Sequence, residues 1–467
     1  MKRHHATVAV SKKWRICIEI EFAKNVTCNI FWGINLIPRF FEGGEFMKKA
    51  LSVALFIVLI FSFLMAKEIV LRVAFWGGPD EIAIETRNLE RFMELNPGIK
   101  VELESIPDNY REKILTSIAA GTAPDVFLLD SGDVPAFVNN NVLLNLLPYA
   151  KRYGVDLSAF YPNVLKIAMI GDRLLYAFPK DFTPLVIYYD KDMFDKAGIP
   201  YPTSDWTWDD FYNIAKKLTV DEDGDGRTDQ YGFVARKYYY LYSPFVWSNG
   251  GDFIDPNGVT ASGYFNSSET IEAMTWWANF IKEGISPSTQ GVSTLGGYGK
   301  MFFSGKVAMV ESGHWFLPSL LEYIESGKRV GVVGLPRVPG KEKVNVMYES
   351  GWCVPKTSKF KKEAVLLAAF LAGEYAQRTR GELGLAIPAV KTVAEEIAVE
   401  DPWDLESGYV EEVKYCRQPW GTIYEFWGQI DPLYTDAMEE IMITDNDPKA
   451  IVEKYTERIN EILSEQF

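Results

Sequence analysis

The chain is 467 residues long, 48% hydrophobic and 14% aromatic, with a formal net charge of −15. That length exceeds one ordinary core and suits two domains of α/β size. The acidic balance excludes a nucleic-acid reader, which needs a basic surface, and suits a protein that handles neutral or modestly charged ligands.

Taken in chain order, the first organised segment starts at Met47. Met47-Lys48-Lys49 is followed by an apolar run from Ala50 to Met65 and then Ala66. A short basic region, an apolar stretch too short for a comfortable span and a small residue form a secretory signal, residues 47–66. An uncleaved anchor is the alternative. No Cys follows the run, so no lipoprotein attachment site is expected. Residues 1–46 lack any pattern and would place a signal inside the chain. Glu42-Gly43-Gly44-Glu45-Phe46 is encodable by a purine-rich ribosome-binding sequence ahead of Met47, so residues 1–46 are expected to be translated upstream DNA. After residue 66 there remain 39 basic and 59 acidic residues, a net charge near −20. Two cysteines remain, Cys353 and Cys416, which pair or stay free. One histidine, His314, is incompatible with multi-histidine metal sites and weakens any histidine-based triad. Six Gln against abundant Glu and Lys points toward a thermophile.

Ile69–Phe75 reads as a buried strand and Trp76–Asp80 as a turn. Ile82, Thr86, Leu89, Phe92 and Met93 then fall at helical spacing, ended by Asn96-Pro97. Ile99–Leu103 alternates as a strand, Tyr110–Ala120 is a helix stopped by Gly121, and Asp125–Leu129 is a third strand. This β-α-β-α-β order predicts a mostly parallel sheet, with ligands beyond the carboxyl ends of its strands, where Trp76, Asp80, Asp130, Ser131 and Asp133 stand. A second α/β unit follows. Thr207 caps a helix with acids in its first turn. Ser267 or Ser268 caps another that runs through Trp276 and Trp277, and a last helix opens at Asp447-Pro448. Between them, Asp221, Asp223, Asp225 and Asp229 stand at calcium-loop spacing, with Gly226 at the sixth position. The twelfth is Gly232 and not Glu, so the alternatives are a calcium site and a solvated acidic turn.

Several segments resemble family 1 extracellular solute-binding proteins of bacterial ABC importers. These are Phe92–Val101, Gly121–Asp130, Phe178–Lys191, Phe303–Trp315 and Ser350–Lys356, in the family's order. The resemblance implies an α/β, two-lobed clamshell of type II with crossover strands as its hinge. It implies lobe one at residues 67–180 and 336–384, and lobe two at 181–335 and 385–467. By similarity to maltose-binding proteins, the crossings fall near Phe178–Pro184, Gly331–Pro336 and Gly384–Pro388.

A sugar offers apolar faces and a rim of hydroxyl groups, which aromatic rings and carboxylates match. The resemblance puts Trp76 and Asp80 at the first strand end, Trp315 and Trp427 at stacking positions, Tyr240 in the cleft and Asp181 at the first crossing. Trp247 precedes a loop beside the cleft, and Trp352 reaches in from lobe one. The plainer readings stand beside these. Asp80 caps its helix, Asp130 braces a turn, His314 is structural, and Trp208, Trp276 and Trp277 are core residues.

The implied function is capture of a sugar or oligosaccharide by a monomer that closes around it and docks on permease and ATPase subunits. No cofactor is implied beyond the possible Ca²⁺, and no nucleic acid. One alternative is a binding protein for a polyamine or a glycerol phosphate ester, the latter disfavoured by an acidic, aromatic cleft. Another is a secreted glycosidase, for which no acid and nucleophile pair stands out.

Overall fold

The apolar run Ile69–Phe75 forms β1, and the Pro79–Leu95 segment forms helix α1. The Asn96 side-chain amide donates to the Phe92 carbonyl at 2.8 Å, satisfying one of the carbonyls left over at the helix end. β2 (Ile99–Ser105), α2 (Tyr110–Ala119) and β3 (Val126–Asp130) follow as the periodicity predicts. In this computed structural model, residues 68–466 are described, apart from Gly78, Asp172 and Leu385. Segment 1–46 and the expected signal at 47–66 lie outside the described residues.

Farther along come a small hairpin, β4 (Met169–Ile170) and β5 (Leu174–Leu175), then β6 (Ala177–Pro184) and β7 (Val186–Asp190). Helix α3 (Trp208–Lys217) opens on Thr207, whose side chain accepts from the Asp210 N–H while the Asp210 carboxylate accepts from the Thr207 N–H. β8 (Tyr231–Phe233), α4 (Tyr239–Ser248) and α5 (Ser268–Lys282), capped by Ser267, come next. The remaining elements used below are β9 (Val307–Ser312), β10 (Val330–Gly334), β11 (Asn345–Cys353), α6 (Lys361–Leu371), α7 (Glu374–Gly381), β12 (Ile387–Pro388), α8 (Glu406–Glu412), β13 (Cys416–Arg417), α9 (Trp427–Ile443) and α10 (Pro448–Ser464).

The strands form two main sheets. The first runs β12-β6-β11-β3-β1-β2, with β13 beside β11. The second runs β10-β7-β9-β8. The first sheet is mixed, not mostly parallel. β1 pairs parallel with β2 and β3, but β11 enters from late in the chain and runs antiparallel to both β3 and β6. Its core includes Val73, Phe75, Phe92, Ile114, Phe127, Phe178 and Trp352. The second sheet packs against Phe211, Phe245, Trp277, Phe280 and Tyr434 from the helices around it. Trp208, Trp276 and Trp277 belong to this packing. Trp208 stacks on Trp276 at 4.1 Å, and Trp277 is fully buried. Truncating Trp277 to Ala is expected to cost about 3–5 kcal/mol.

The chain first passes between sheets through one residue, Leu185, because β6 stays paired with β11 as far as Pro184. It returns through residues 335–344, since Val330–Gly334 remains in the second sheet. It is back on the first sheet at Ile387–Pro388, which pairs with Phe182 and Asp181, and stays bonded on that side through Val390, which bridges to Phe160. The first crossing falls just after the Phe178–Pro184 segment, the second begins within Gly331–Pro336 and runs past it, and the third falls beyond Gly384–Pro388. Among the described residues, no helix is long and apolar enough to cross a membrane.

Candidate ligand-binding site

The first half of the site lies at the strand ends of the first sheet. Trp76 follows β1, partly exposed, with its ring edge-on to Tyr110 at 5.1 Å. Asp80 stands in the first turn of α1, its side chain outside the described residues. Asp130 ends β3 and accepts the Gly132 N–H at 2.8 Å, so it braces a turn as well as facing solvent. The protein around Asp130 removes enough water to push its pKa up to about 6, against the Gly132 hydrogen bond and with help from Asp133 and Asp181. Asp133 is raised by burial against the pull of Arg111, 3.5 Å away.

Ser350 of β11 sits opposite both Asp130 and Asp181, which puts the three side chains on one line across three strands. The Ser350 hydroxyl donates to Asp181 at 2.5 Å. Lys180 donates to the other Asp181 oxygen at 2.7 Å and to Glu81 at 3.1 Å. Burial alone would raise the Asp181 carboxyl, but Lys180 and Ser350 hold it below the usual range, so it stays ionised. Glu349 is the opposite case. It is buried, neither carboxyl oxygen has a hydrogen-bond partner, and burial beside Asp181 and Asp130 drives its pKa well up. Its environment therefore favours the protonated form.

The second half follows the second sheet. Trp315 is 47% exposed just beyond β9. Its ring meets Tyr348 at 6.3 Å, Tyr348 meets Tyr240 at 6.3 Å, and Tyr240 stacks on the exposed Tyr238 at 5.9 Å. Behind this file, Arg236 lies over the Tyr298 ring at 4.0 Å and donates to the Glu311 carbonyl. The Glu311 carboxyl is buried without a hydrogen-bond partner and raised by burial despite Arg236. Asp431, one helical turn beyond Trp427, is pushed up to about 6 by burial. Tyr348, on β11 of the first sheet, donates its hydroxyl to the Tyr240 carbonyl of α4 at 3.4 Å, which links the two halves.

Three expected contacts are elsewhere. Trp352 is 1% exposed and packs in the first core beneath Arg380, paired with Leu128 of β3 on one side and Phe178 of β6 on the other. Trp247 is buried, its N–H bound to Asp252 at 2.8 Å and its face covered by Arg417 at 4.3 Å. Arg417 also covers Trp420, which donates to the same Asp252 oxygen at 2.7 Å. Trp427 is buried in a stack on Tyr434, 5.3 Å away. None of the three has a free face to offer. Trp76, Asp130, Asp133, Asp181, Tyr240 and Trp315 keep some exposure. The residues missed in sequence are Tyr348, Tyr238, Glu349, Glu311, Arg236 and Asp431. His314 is buried and bound to Glu406 at 2.8 Å, a structural role.

In the acidic loop, the carboxylates of Asp221, Asp223 and Asp225 come within 4.8 Å of one another. Asp229 is not in that group and accepts the Glu222 N–H instead. At Gly232 a Cβ would lie 1.8 Å from the Ala215 carbonyl oxygen, so the twelfth position has no room for a ligating side chain. The donor set therefore fits a calcium loop only in its first half. Cys353 and Cys416 are both buried and free. Cys416 lies beside Asn345, eight residues along β11 from Cys353, or about 26 Å, too far for a disulfide. A separate surface hollow of about 320 Å³, lined by Tyr201, Arg329 and Trp403 among others, shares no residue with the site.

Aromatic faces rimmed by carboxyl and hydroxyl groups, on two α/β sheets joined by short crossings, define a two-lobed small-molecule-binding protein. Residues 78–378 match the family described as bacterial extracellular solute-binding protein, and the chain belongs to that family. It is 27% identical over 292 residues to the galactooligosaccharide-binding protein of Bacillus subtilis. That match covers 60% of this chain and 63% of that relative. A Listeria monocytogenes ABC substrate-binding protein, solved with cycloalternan, superimposes with a TM-score of 0.73 at 24% identity, covering 85% of this chain and 99% of that one. The sugar-binding protein of Xanthomonas citri gives a TM-score of 0.74 at 20% identity, covering 85% and 98%. The fold is the type II clamshell of these binding proteins.

Proposed function

We propose that this protein is the extracytoplasmic substrate-binding component of an ABC importer, that it captures a neutral sugar or oligosaccharide, and that it acts by binding and not by catalysis. The observation that carries this reading is the file Trp315–Tyr348–Tyr240–Tyr238, two of whose rings are open to solvent beside the Asp130–Ser350–Asp181 row. Rings cover the apolar faces of a pyranose, and carboxyl groups take its hydroxyl groups. The relative from Bacillus subtilis and the two solved structures, named for sugars, support the same ligand class.

In this reading, lobes at residues 67–180 with 336–384 and 181–335 with 385–467, adjusted at the crossings, close on the ligand. The closed monomer then delivers it to permease and ATPase partners. An anionic ligand such as a glycerol phosphate ester is disfavoured. The bases near the site are already engaged: Lys180 by Asp181 and Glu81, Arg111 by Asp133, and Arg236 by Tyr298 and the Glu311 carbonyl.

A thermal-shift screen over neutral oligosaccharides, a polyamine and glycerol 3-phosphate tests this. Ligand at ~100 times its Kd should stabilise by roughly 2.7 kcal/mol. Stabilisation by the phosphate ester alone would overturn the sugar reading, and release of reducing sugar would overturn the non-catalytic one.

A further inference from the structure

The first two crossings between the sheets are tied to each other by a buried polar cluster that touches none of the site residues named above. Its centre is Asn345, the first residue of β11, which is fully buried. The Asn345 amide donates to the Leu185 carbonyl at 2.8 Å, and its oxygen accepts the Leu185 N–H at 3.4 Å. Leu185 is the sole residue between β6 and β7. One side chain therefore takes up both backbone groups of the first crossing, which neither sheet can satisfy.

The same amide donates to Glu412 at 2.8 Å. The other Glu412 oxygen accepts from Lys343 at 2.5 Å. Lys343 stands at the end of the second crossing. The start of that crossing is also engaged, because the Leu335 backbone N–H interacts with the Glu412 carboxylate. At the preceding Gly334, a Cβ would lie 1.9 Å from a Glu412 oxygen, so only glycine lets the carboxylate in. Glu412 ends α8, a helix that packs on β10 and β7 of one sheet and β6 of the other. Glu412 and Lys343 are 1% and 7% exposed. A lone charge at either position would be costly, so the pair holds together.

We propose that Asn345 is a positioning residue for ligand capture. With Glu412 and Lys343 behind it, Asn345 pins the two crossings into one pivot at Leu185. The Asp130–Ser350–Asp181 row then meets the Trp315–Tyr240 side in a single register. This rests on the two-lobed binding function proposed above. Asn345 lies five residues, about 17 Å, from Ser350 along β11, so it acts through the frame and not on the ligand.

Pulsed dipolar spectroscopy on the ligand-free full chain tests this, with spin labels on cysteines placed at the exposed Glu102 and Lys282, one beside each sheet. Cys353 and Cys416 are buried and stay unlabelled, and Cys17 and Cys28 are replaced by Ser. The native pivot should give one narrow distance distribution, while Asn345→Ala and the gentler Glu412→Gln should broaden or split it. Trp352→Phe, a core change away from the pivot, should lower Tm and leave the distribution narrow. The proposal is overturned if the pivot variants lose stability while the distribution stays narrow, or if the native distribution is already as broad as theirs. Failure of the sugar reading shows separately, in the thermal-shift screen.

Discussion

Trp315 lies over Gly313: a Cβ on that glycine would come within 2.3 Å of the indole. The absence of a side chain lets one ring face rest on the backbone while 47% of the residue stays open to the site. Trp315→Ala should weaken sugar binding about tenfold or more, and Gly313→Ala should weaken it too by displacing the ring. Titration of each variant with the best-stabilising sugar checks this. Unchanged affinity in Trp315→Ala would remove the residue from the site.

Asp130 makes stability fall as pH rises. Its carboxyl titrates at about 6 in the folded chain against an ordinary 3.8, so the folded state holds the proton more tightly. That contribution is complete below about 3.8 and is lost as pH climbs through about 6. Asp130→Asn should flatten the decline in Tm over this interval. An undiminished decline would assign it to other groups, Asp431 first among them.

Glu349 is a buried carboxyl without a hydrogen-bond partner, and such a group costs about 1–3 kcal/mol. Glu349→Leu should therefore raise the Tm of the ligand-free protein, and by more as pH rises, because burial favours the protonated form of the native acid. A lower Tm in the leucine variant would show that this acid has a structural partner.

The acidic loop should bind Ca²⁺ no more tightly than about 10⁻⁴ M, because three aspartates supply charge but Gly232 leaves no bidentate ligand. Isothermal titration after chelation measures this directly. Micromolar affinity would mean that oxygens outside the trio complete the shell.

The early fold is legible because β1, α1, β2, α2 and β3 form from local apolar spacing, which the sequence displays openly. Thr207 and Ser267 cap their helices for the same local reason. The errors come from distant partners. Trp247 looks available until Arg417, 170 residues later, covers it, and Trp352 looks available until β3 and β6 flank it and Arg380 covers its ring. Tyr348 and Glu349 stood next to the recognised Ser350-Gly351-Trp352, and Asp431 one turn past Trp427. Only the register of β11 against β3 and β6 shows what Tyr348 and Glu349 face. In the run Tyr238-Tyr239-Tyr240, spacing cannot say that the middle ring alone is buried.

The late arrival of β11 also orders events in time. β3 and β6 have no common neighbour until Asn345–Cys353 is inserted between them, and the Leu185–Asn345 bond spans 160 residues of chain. A ribosome releasing this polypeptide from its N-terminus therefore delivers β1, β2 and β3 long before their sheet can be completed. The first sheet cannot close until Asn345–Cys353 has emerged, so a nascent chain cut short before that strand should remain open to proteases.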